Sequence, residues 1–383
     1  TPRLQPDVQT VNGKLVYTPK DLTSQAAYSL AQIVKIMAMH RATDLFGPIP
    51  YSDMEPGKIK AKYDSQEKVY KSFLKELDDA VTILNQYGAN NKVLENFDPV
   101  YQGDTAKWIR LANSLMLRLA MRVRFADQAL AQQYVTKATT NPGGLIEDDS
   151  QAGKLVTSSK YIFDHSLVTM LGYGELKMGA TIYSYLKGYD DPRMAKYFTK
   201  ATADTQTSDF YAVRSGIDPT TDVAVYKNFS VPTVVQTTPT YWLRASEVQF
   251  LLAEAALIGW YTNDTAENLY KKGIEVSFAE NGLTAAQAQS YYNSSAQPAN
   301  YADPKNSVYN ISAASTIDKK WLTSGSTEDH LEQIITQKYL ANYPNGFESW
   351  SEWRRTGYPR MFTAALNRTN VGVQNIPASG KDF

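Results

Sequence analysis

Residues 246–259 read SEVQFLLAEAALIG, and residues 265–281 read TAENLYKKGIEVSFAEN. The first segment is rich in Ala and Leu and stops at Gly259, a residue that often follows the end of a helix. Two helices joined by a short turn within about 35 residues match the period of tetratricopeptide repeats. Ala266 and Tyr270 also match the A-x3-F element of that repeat. The pair therefore predicts a scaffold of packed helix pairs.

Helical patterns also occur on both sides of this pair. Residues 65–87 carry an apolar stripe at spacings of three and four, formed by Val69, Phe73, Leu77, Val81 and Leu84. Asp64 and Glu67 suggest a capping box at its start, and Gly88 suggests its end. Other helices are predicted at 26–45, 105–126, 329–342 and 347–355. The tracts 141–240 and 283–327 are rich in turn-forming and polar residues, so the fold is predicted as mainly α with long irregular insertions and few short strands.

The composition excludes several classes of protein. The 383 residues contain no Cys, which removes disulfides, thiolate metal sites and cysteine nucleophiles. The 39 basic and 39 acidic side chains give a net charge of zero, whereas nucleic-acid binding needs a basic surface. No segment approaches the roughly 18–20 continuous apolar residues of a membrane span. Any export signal or lipid anchor is expected upstream of Thr1.

The sequence carries no catalytic or metal-binding motif. There is no phosphate-binding G-K-[ST], no G-x-S-x-G and no H-E-x-x-H. His40, His165 and His330 are too far apart along the chain to show ligand spacing. The pairs Asp148-Asp149 and Asp190-Asp191 are typical of turns and helix caps. The prediction is therefore a protein that is not an enzyme, with no catalytic residues, no metal and no cofactor.

Tyrosine is the unusual feature of the composition. It supplies 26 of the aromatic residues, against 13 Phe and 6 Trp. A Tyr ring is flat and amphipathic, so it serves equally well to pack helices or to hold a polar ligand. Many of these tyrosines fall in the two irregular tracts, which favours a role in contacts at the surface. Irregular segments also need anchors in the core, so both interpretations stay open.

One short stretch resembles a family signature. Residues 43–52 read TDLFGPIPYS and resemble the T-D-x-[YF]-G-x-[IV]-P-Y-S signature of the SusD/RagB-like outer-membrane nutrient-binding lipoproteins of Bacteroidetes. Residues 353–359 read WRRTGYP and are similar to the ending of one SusD-like subgroup. Further similar strings follow in order between these two, at residues 63–70, 76–80, 103–108, 112–118, 191–193, 246–248, 253–255, 334–338 and 344–346.

The resemblance implies a fold, a partner and a location. It implies a single SusD-like α-helical domain over residues 1–383, with a helical scaffold at about 26–126 and 244–360. Loop-rich insertions are implied at about 141–240 and 283–327. The implied role is the lid of a SusC-like TonB-dependent transporter, which captures an oligosaccharide at the cell surface. The lipidated Cys usual in the family is absent from this chain, so the lipid anchor in the outer membrane is implied by resemblance alone.

The ligand residues are expected among aromatics of the loops, with polar neighbours. Sugar rings stack on aromatic planes through their C–H faces, while their hydroxyls need hydrogen-bonding partners. The corresponding positions are Tyr51, Tyr173, Asn228, Phe229, Tyr291, Tyr292, Asn293, Lys320 and Trp321. Three alternatives to a glycan-binding lid stay open: the same lid for oligopeptides, a glycoside hydrolase, and a tetratricopeptide-like adaptor that binds only proteins.

Overall fold

The computed structural model describes residues 7–11, 14–18, 20–54, 60–202, 209–218 and 224–366. Over these residues the structure is mainly helical, which confirms the predicted fold class. The helices are α1 (Leu22–Phe46), α2 (Gln66–Tyr87), α3 (Thr105–Arg122), α4 (Gln128–Thr140), α5 (Ser166–Gly172), α6 (Ala180–Gly188), α7 (Met194–Tyr197), α8 (Ala245–Leu257), α9 (Ala266–Glu280), α10 (Ala285–Asn293), α11 (Thr327–Ala341) and α12 (Gly346–Thr356).

The strands of the described residues are short and form two-stranded sheets. They are β1 (Asp7–Val11), β2 (Lys14–Thr18), β3 (Gly153–Leu155) and β4 (Thr240–Leu243). Strands β1 and β2 form an antiparallel hairpin whose register runs from the pair Asp7 and Thr18 to the pair Val11 and Lys14. Strands β3 and β4 form the second sheet.

The chain divides into two compact units. The first contains Thr1–Leu155, Tyr241–Leu251 and Gly259–Tyr261, and the second contains the remainder, so α8 contributes to both. The description of the chain as one domain with two insertions stays a prediction.

Consecutive helices pack on one another in the first unit. Helix α1 contacts α2, α2 contacts α3, and α3 contacts α4. The predicted stripe of α2 is buried, with Phe73 and Leu77 fully shielded from solvent. Arg118 of α3 is also buried, and its guanidinium donates to both carboxylate oxygens of Glu247 at 2.7 and 2.8 Å. Burying these charges is tolerated because each neutralises the other.

The helix ends agree closely with the sequence signals in this unit. Asp104 caps α3 by accepting from the amide of Lys107, and α2 ends at Gly88, as predicted. The sequence predicts the N-terminal cap of α2 at Asp64, and this prediction is wrong by one residue. The hydroxyl of Ser65 accepts from the amide of Lys68, because the Asp64 carboxylate is already engaged by Ser52.

In the second unit, α9 packs against α10 and α11, and α6 packs against α7. The two tracts predicted as irregular contain three helices of this unit, α5, α6 and α10, besides the single turn α7. Helix α10 has only nine residues and buries only Ala288, Tyr291 and Tyr292, so its apolar stripe is too short for periodicity to reveal it. Its start is nevertheless encoded, because Thr284 and Gln287 form a capping box.

Candidate functional site

The predicted ligand residues lie in several places. Tyr51 belongs to the first unit and the others belong to the second. Tyr173 follows α5, and Asn228 and Phe229 lie between α7 and β4. Residues 291–293 end α10, whereas residues 320 and 321 lie in the segment before α11.

Tyr51 is held by α1 and α2. Its hydroxyl donates to Glu76 Oε2 at 2.7 Å, and its ring meets Phe73 edge to face at 5.0 Å. The ammonium of Lys35 lies 4.6 Å from the ring centroid. Burial and the Glu76 carboxylate raise the pKa of the Tyr51 phenol, so the hydroxyl stays protonated and remains a donor. The half-buried ring therefore offers a ligand only part of its surface.

Tyr173 is the most exposed aromatic of the predicted set, with 72% of its surface accessible. It is the C-terminal cap residue of α5. His165 caps the start of this helix, and its Nδ1 accepts from the amide of Leu167 at 3.3 Å. No other described aromatic ring or cation packs on Tyr173, so most of its surface is accessible to a ligand.

Phe229 lies inside a small core of the second unit. It packs with Tyr226 at 4.8 Å and with Tyr211 at 5.4 Å, and it is buried. The neighbouring Asn228 is exposed, and its carbonyl accepts from the amide of Thr202. The phenyl ring thus anchors this segment, while the Asn228 amide faces solvent.

Tyr291 and Tyr292 lie on helix α10, so their expected place in a loop is wrong. Tyr291 is buried, and its hydroxyl accepts from Gln337 Nε2 at 2.9 Å. The hydroxyl of Tyr292 donates to Glu275 Oε1 at 3.0 Å, and the ammonium of Lys271 lies 5.7 Å from its ring centroid. Both rings fasten α10 to neighbouring helices. Asn293, which ends α10, has an exposed side chain.

Asp318 joins the end of α10 to the segment before α11. Its carboxylate accepts from the Ser295 hydroxyl, from the amide of Ala296 at 3.2 Å and from the amide of Lys320 at 2.7 Å. The amide of Lys319 donates to the carbonyl of Ala296 at 3.1 Å. Two segments 22 to 23 residues apart in sequence are therefore bonded to each other.

Trp321 lies in this joined region and is half-buried. The His330 ring stacks on the indole, with centroids 4.1 Å apart and planes within 10°. Tyr270 packs against the indole at 5.1 Å with a tilt of 48°. These two contacts fix the plane of the indole and leave part of it accessible to solvent.

The bonds of Asp318 thus join two segments that carry predicted residues, and we call this region the Asp318 patch. It consists of Asn293, Ser295, Asp318, Lys320 and Trp321. The side chains of Asn293 and Lys320 form no hydrogen bond or ion pair with any other residue that the structure describes. The patch therefore combines a fixed aromatic plane with free polar groups, the combination that recognition of a sugar requires.

Sequence reasoning missed three residues of this region: Asp318, His330 and Gln333. A signal for two of them was present, because Ser326 and Asp329 form a capping box that begins α11. That start places His330 in the first turn and Gln333 one turn later on the helix. Nothing in the sequence indicates that Asp318 bonds to residues 295 and 296.

The comparison with protein families decides the identity of the fold. Residues 4–379 match the SusD-like family, described as Susd and RagB outer membrane lipoprotein. This chain belongs to the SusD-like family. The resemblance that the sequence strings indicate is therefore confirmed over almost the whole chain.

Several solved structures are similar to this SusD-like protein. A chitin-binding SusD homologue from Flavobacterium johnsoniae is 35% identical with a TM-score of 0.83, and the match covers 89% of this chain and 70% of that chain. A SusD homologue from Bacteroides thetaiotaomicron is 36% identical with a TM-score of 0.83, covering 93% and 72%. One from Bacteroides uniformis is 36% identical with a TM-score of 0.81, covering 88% and 70%. No curated protein matches the sequence.

Family membership also decides the class of activity. SusD-like proteins are binding proteins and not enzymes, which confirms the prediction on this point. Within the described ranges, no helix is long and apolar enough to cross a bilayer. Among the same residues, no group of three or more His, Asp or Glu side chains is arranged to hold a metal ion.

Proposed function

We propose that this SusD-like protein captures oligosaccharides at the bacterial surface and delivers them to a SusC-like TonB-dependent transporter. The observation that carries the proposal is the likeness to the chitin-binding homologue, at 35% identity over 89% of this chain. A second relative, described as a chitin-binding protein, is 27% identical with a TM-score of 0.74. The family description supports a lipid-anchored position at the outer membrane.

We propose the Asp318 patch as the ligand contact. A sugar ring packs its C–H face on the accessible part of Trp321, whose plane is fixed by His330 at 4.1 Å. Asn293 and Lys320 supply donors and acceptors to the hydroxyls, and their free state means that no internal bond has to be broken on binding. Tyr51, Tyr173, Asn228, Phe229, Tyr291 and Tyr292 stay predictions as ligand residues.

Calorimetric titration with a panel of neutral oligosaccharides, including chitohexaose, and a panel of peptides tests the function and the site. We expect heat with a glycan, and a loss of affinity of at least about tenfold in Trp321→Ala, because stacking aromatics dominate such contacts. Trp350→Ala is the matched control, since Trp350 is also partly exposed but packs on Arg354 outside the patch.

The outcomes separate the alternatives. Heat with peptides and none with any glycan would favour the lid for oligopeptides and reject the glycan proposal. Glycan binding that Trp321→Ala leaves unchanged would move the site elsewhere, and Tyr173→Ala would then be the next variant. Co-purification of an outer-membrane barrel with the protein from its native membrane tests the transporter partner, and its absence would contradict the delivery step.

A further inference from the structure

Gln333 is a buried amide on α11, with 1% of its surface accessible. A neutral polar side chain in such a position must satisfy its donors and acceptor internally. All of its side-chain bonds go to residues 318–322 and to His330. Three of these four bonds go to the segment before α11, and only the bond to His330 stays within the helix.

The two donors of Gln333 fix the orientation of its amide. Nε2 donates to the carbonyl of Asp318 and to the carbonyl of Lys320, each at 2.7 Å. Because both N–H groups of the side-chain nitrogen point at carbonyls, the other terminal atom of the amide must be the oxygen. Oε1 accepts from the amide of Leu322 at 3.4 Å. One side chain therefore holds the backbone on both sides of Trp321.

The same amide also orients the ring beneath the indole. Gln333 Oε1 lies 3.2 Å from His330 Nδ1, and an amide oxygen can only accept. His330 Nδ1 therefore carries the hydrogen of this bond, and this bond fixes the rotation of the ring. The fixed ring is the one that stacks on Trp321 with planes within 10°.

We infer that Gln333 is the positioning residue of the Asp318 patch. It clamps the carbonyls of Asp318 and Lys320 and the amide of Leu322, and it aligns His330 under Trp321. The indole and the backbone of Lys320 are thereby held in one arrangement before the ligand arrives, which lowers the entropic cost of binding. This role rests on the proposed glycan-binding function of the patch.

Gln333→Met removes every one of these bonds while keeping the length of the side chain. Gln333→Glu keeps the acceptors but loses both donors, and serves if the first variant folds poorly. The matched control is Gln337→Met. Gln337 lies one turn further along α11 and is equally buried, but its amide bonds to Arg193 and Tyr291 and not to the segment before α11.

Two measurements are needed: calorimetric titration with chitohexaose, and the fluorescence emission of Trp321. The Trp321 emission is obtained by subtracting the spectrum of a protein that also carries Trp321→Phe. We expect both Gln333 variants to lower the affinity at least about tenfold, the consequence of unmade buried hydrogen bonds. We also expect them to change the Trp321 emission without ligand, because the stack loosens. Gln337→Met should leave both properties as in the wild-type protein.

The inference fails if the Gln333 variants keep the wild-type emission, or if Gln337→Met changes emission and affinity to the same extent. It also fails if the emission changes while chitohexaose binds as in the wild-type protein. If the wild-type protein binds no glycan, the proposed function is rejected, and the emission alone decides whether Gln333 positions Trp321.

Discussion

Buried tyrosines tie irregular segments to helices through their hydroxyl groups. In the second unit four buried tyrosine hydroxyls donate to a backbone carbonyl: Tyr185 to Arg360 at 2.9 Å, Tyr189 to Ile317 at 3.0 Å, Tyr270 to Lys319 at 2.6 Å, and Tyr197 to Leu340 of α11 at 3.0 Å. Burial raises the pKa of the Tyr270 phenol, so it remains a donor. A long irregular segment needs such partners, because its carbonyls have no regular ladder to join. Part of the tyrosine surplus is used in this way.

The carboxylate of a single residue, Asp64, makes the stability of the fold depend on pH. Its carboxylate accepts from Lys68 Nζ at 2.5 Å and from the Ser52 amide at 2.6 Å, and these bonds lower its pKa below the ordinary 3.8. A lowered pKa in the folded state stabilises the fold above the unfolded-state pKa, and this stabilisation disappears as the pH falls through the folded-state pKa. We therefore expect the difference in stability between the wild-type protein and Asp64→Asn to be constant near neutrality and to shrink in acid below pH 3.8.

Thermal unfolding of both proteins from neutral to acidic pH measures this difference. Asp79→Asn is the control, because Asp79 forms an exposed pair with Lys75 on the same helix. A difference between wild type and Asp64→Asn that stays constant down to the lowest pH would contradict the expected behaviour.

At the scale of elements, helices with strong local signals were predictable and helices held by distant contacts were not. The stripe of α2 and the Asp104 cap of α3 are encoded within a few residues. Helix α6 has no side-chain cap, and its sequence mixes Thr, Ile and Tyr, which favour strands as much as helices. Its stability comes from packing against segments more than 100 residues away, such as Ala299, whose amide donates to the carbonyl of Ser184. One sequence does not reveal such a partner.

The end of α6 illustrates this dependence and gives a prediction. A Cβ added at Gly188 would lie 2.3 Å from both the amide nitrogen of Ala299 and the carbonyl oxygen of Gln297. Both atoms belong to the backbone, so the segment has to move. We expect Gly188→Ala to destabilise the protein by about 1–3 kcal/mol, despite the higher helix propensity of Ala.

Chemical denaturation measures the effect on the free energy of unfolding. Gly346→Ala is the matched control, because an added Cβ there meets nothing within 4 Å at the start of α12. This control should be neutral or stabilising by up to about 1 kcal/mol. Equal free energies of unfolding for the two variants would show that the close approach of the backbone to Gly188 does not destabilise Gly188→Ala.

At the scale of the whole molecule, the family was predictable and the candidate site only in part. Strings such as residues 43–52 and 353–359 are local in sequence, so they can be read directly. The Asp318 patch instead depends on bonds from Asp318 to residue 296 and from Gln333 to residue 318. Such contacts arise only when the chain is folded. Residue type pointed to Asn293, Lys320 and Trp321, but only the structure shows that the two segments carrying them are joined through Asp318.

The overall charge yields a last prediction. With 39 basic and 39 acidic side chains the chain is neutral, and the proposed ligand is an uncharged oligosaccharide. Salt screens interactions between exposed charges and has little effect on stacking or on hydrogen bonds to hydroxyls. We therefore expect the affinity for chitohexaose to change less than about twofold between ~0.05 and ~0.5 M NaCl. Lys320→Ala should weaken binding by the same factor at both salt concentrations, because Lys320 then acts as a hydrogen-bond donor. A steep loss of affinity with salt that Lys320→Ala abolishes would instead indicate that the ammonium binds an anionic group on the sugar.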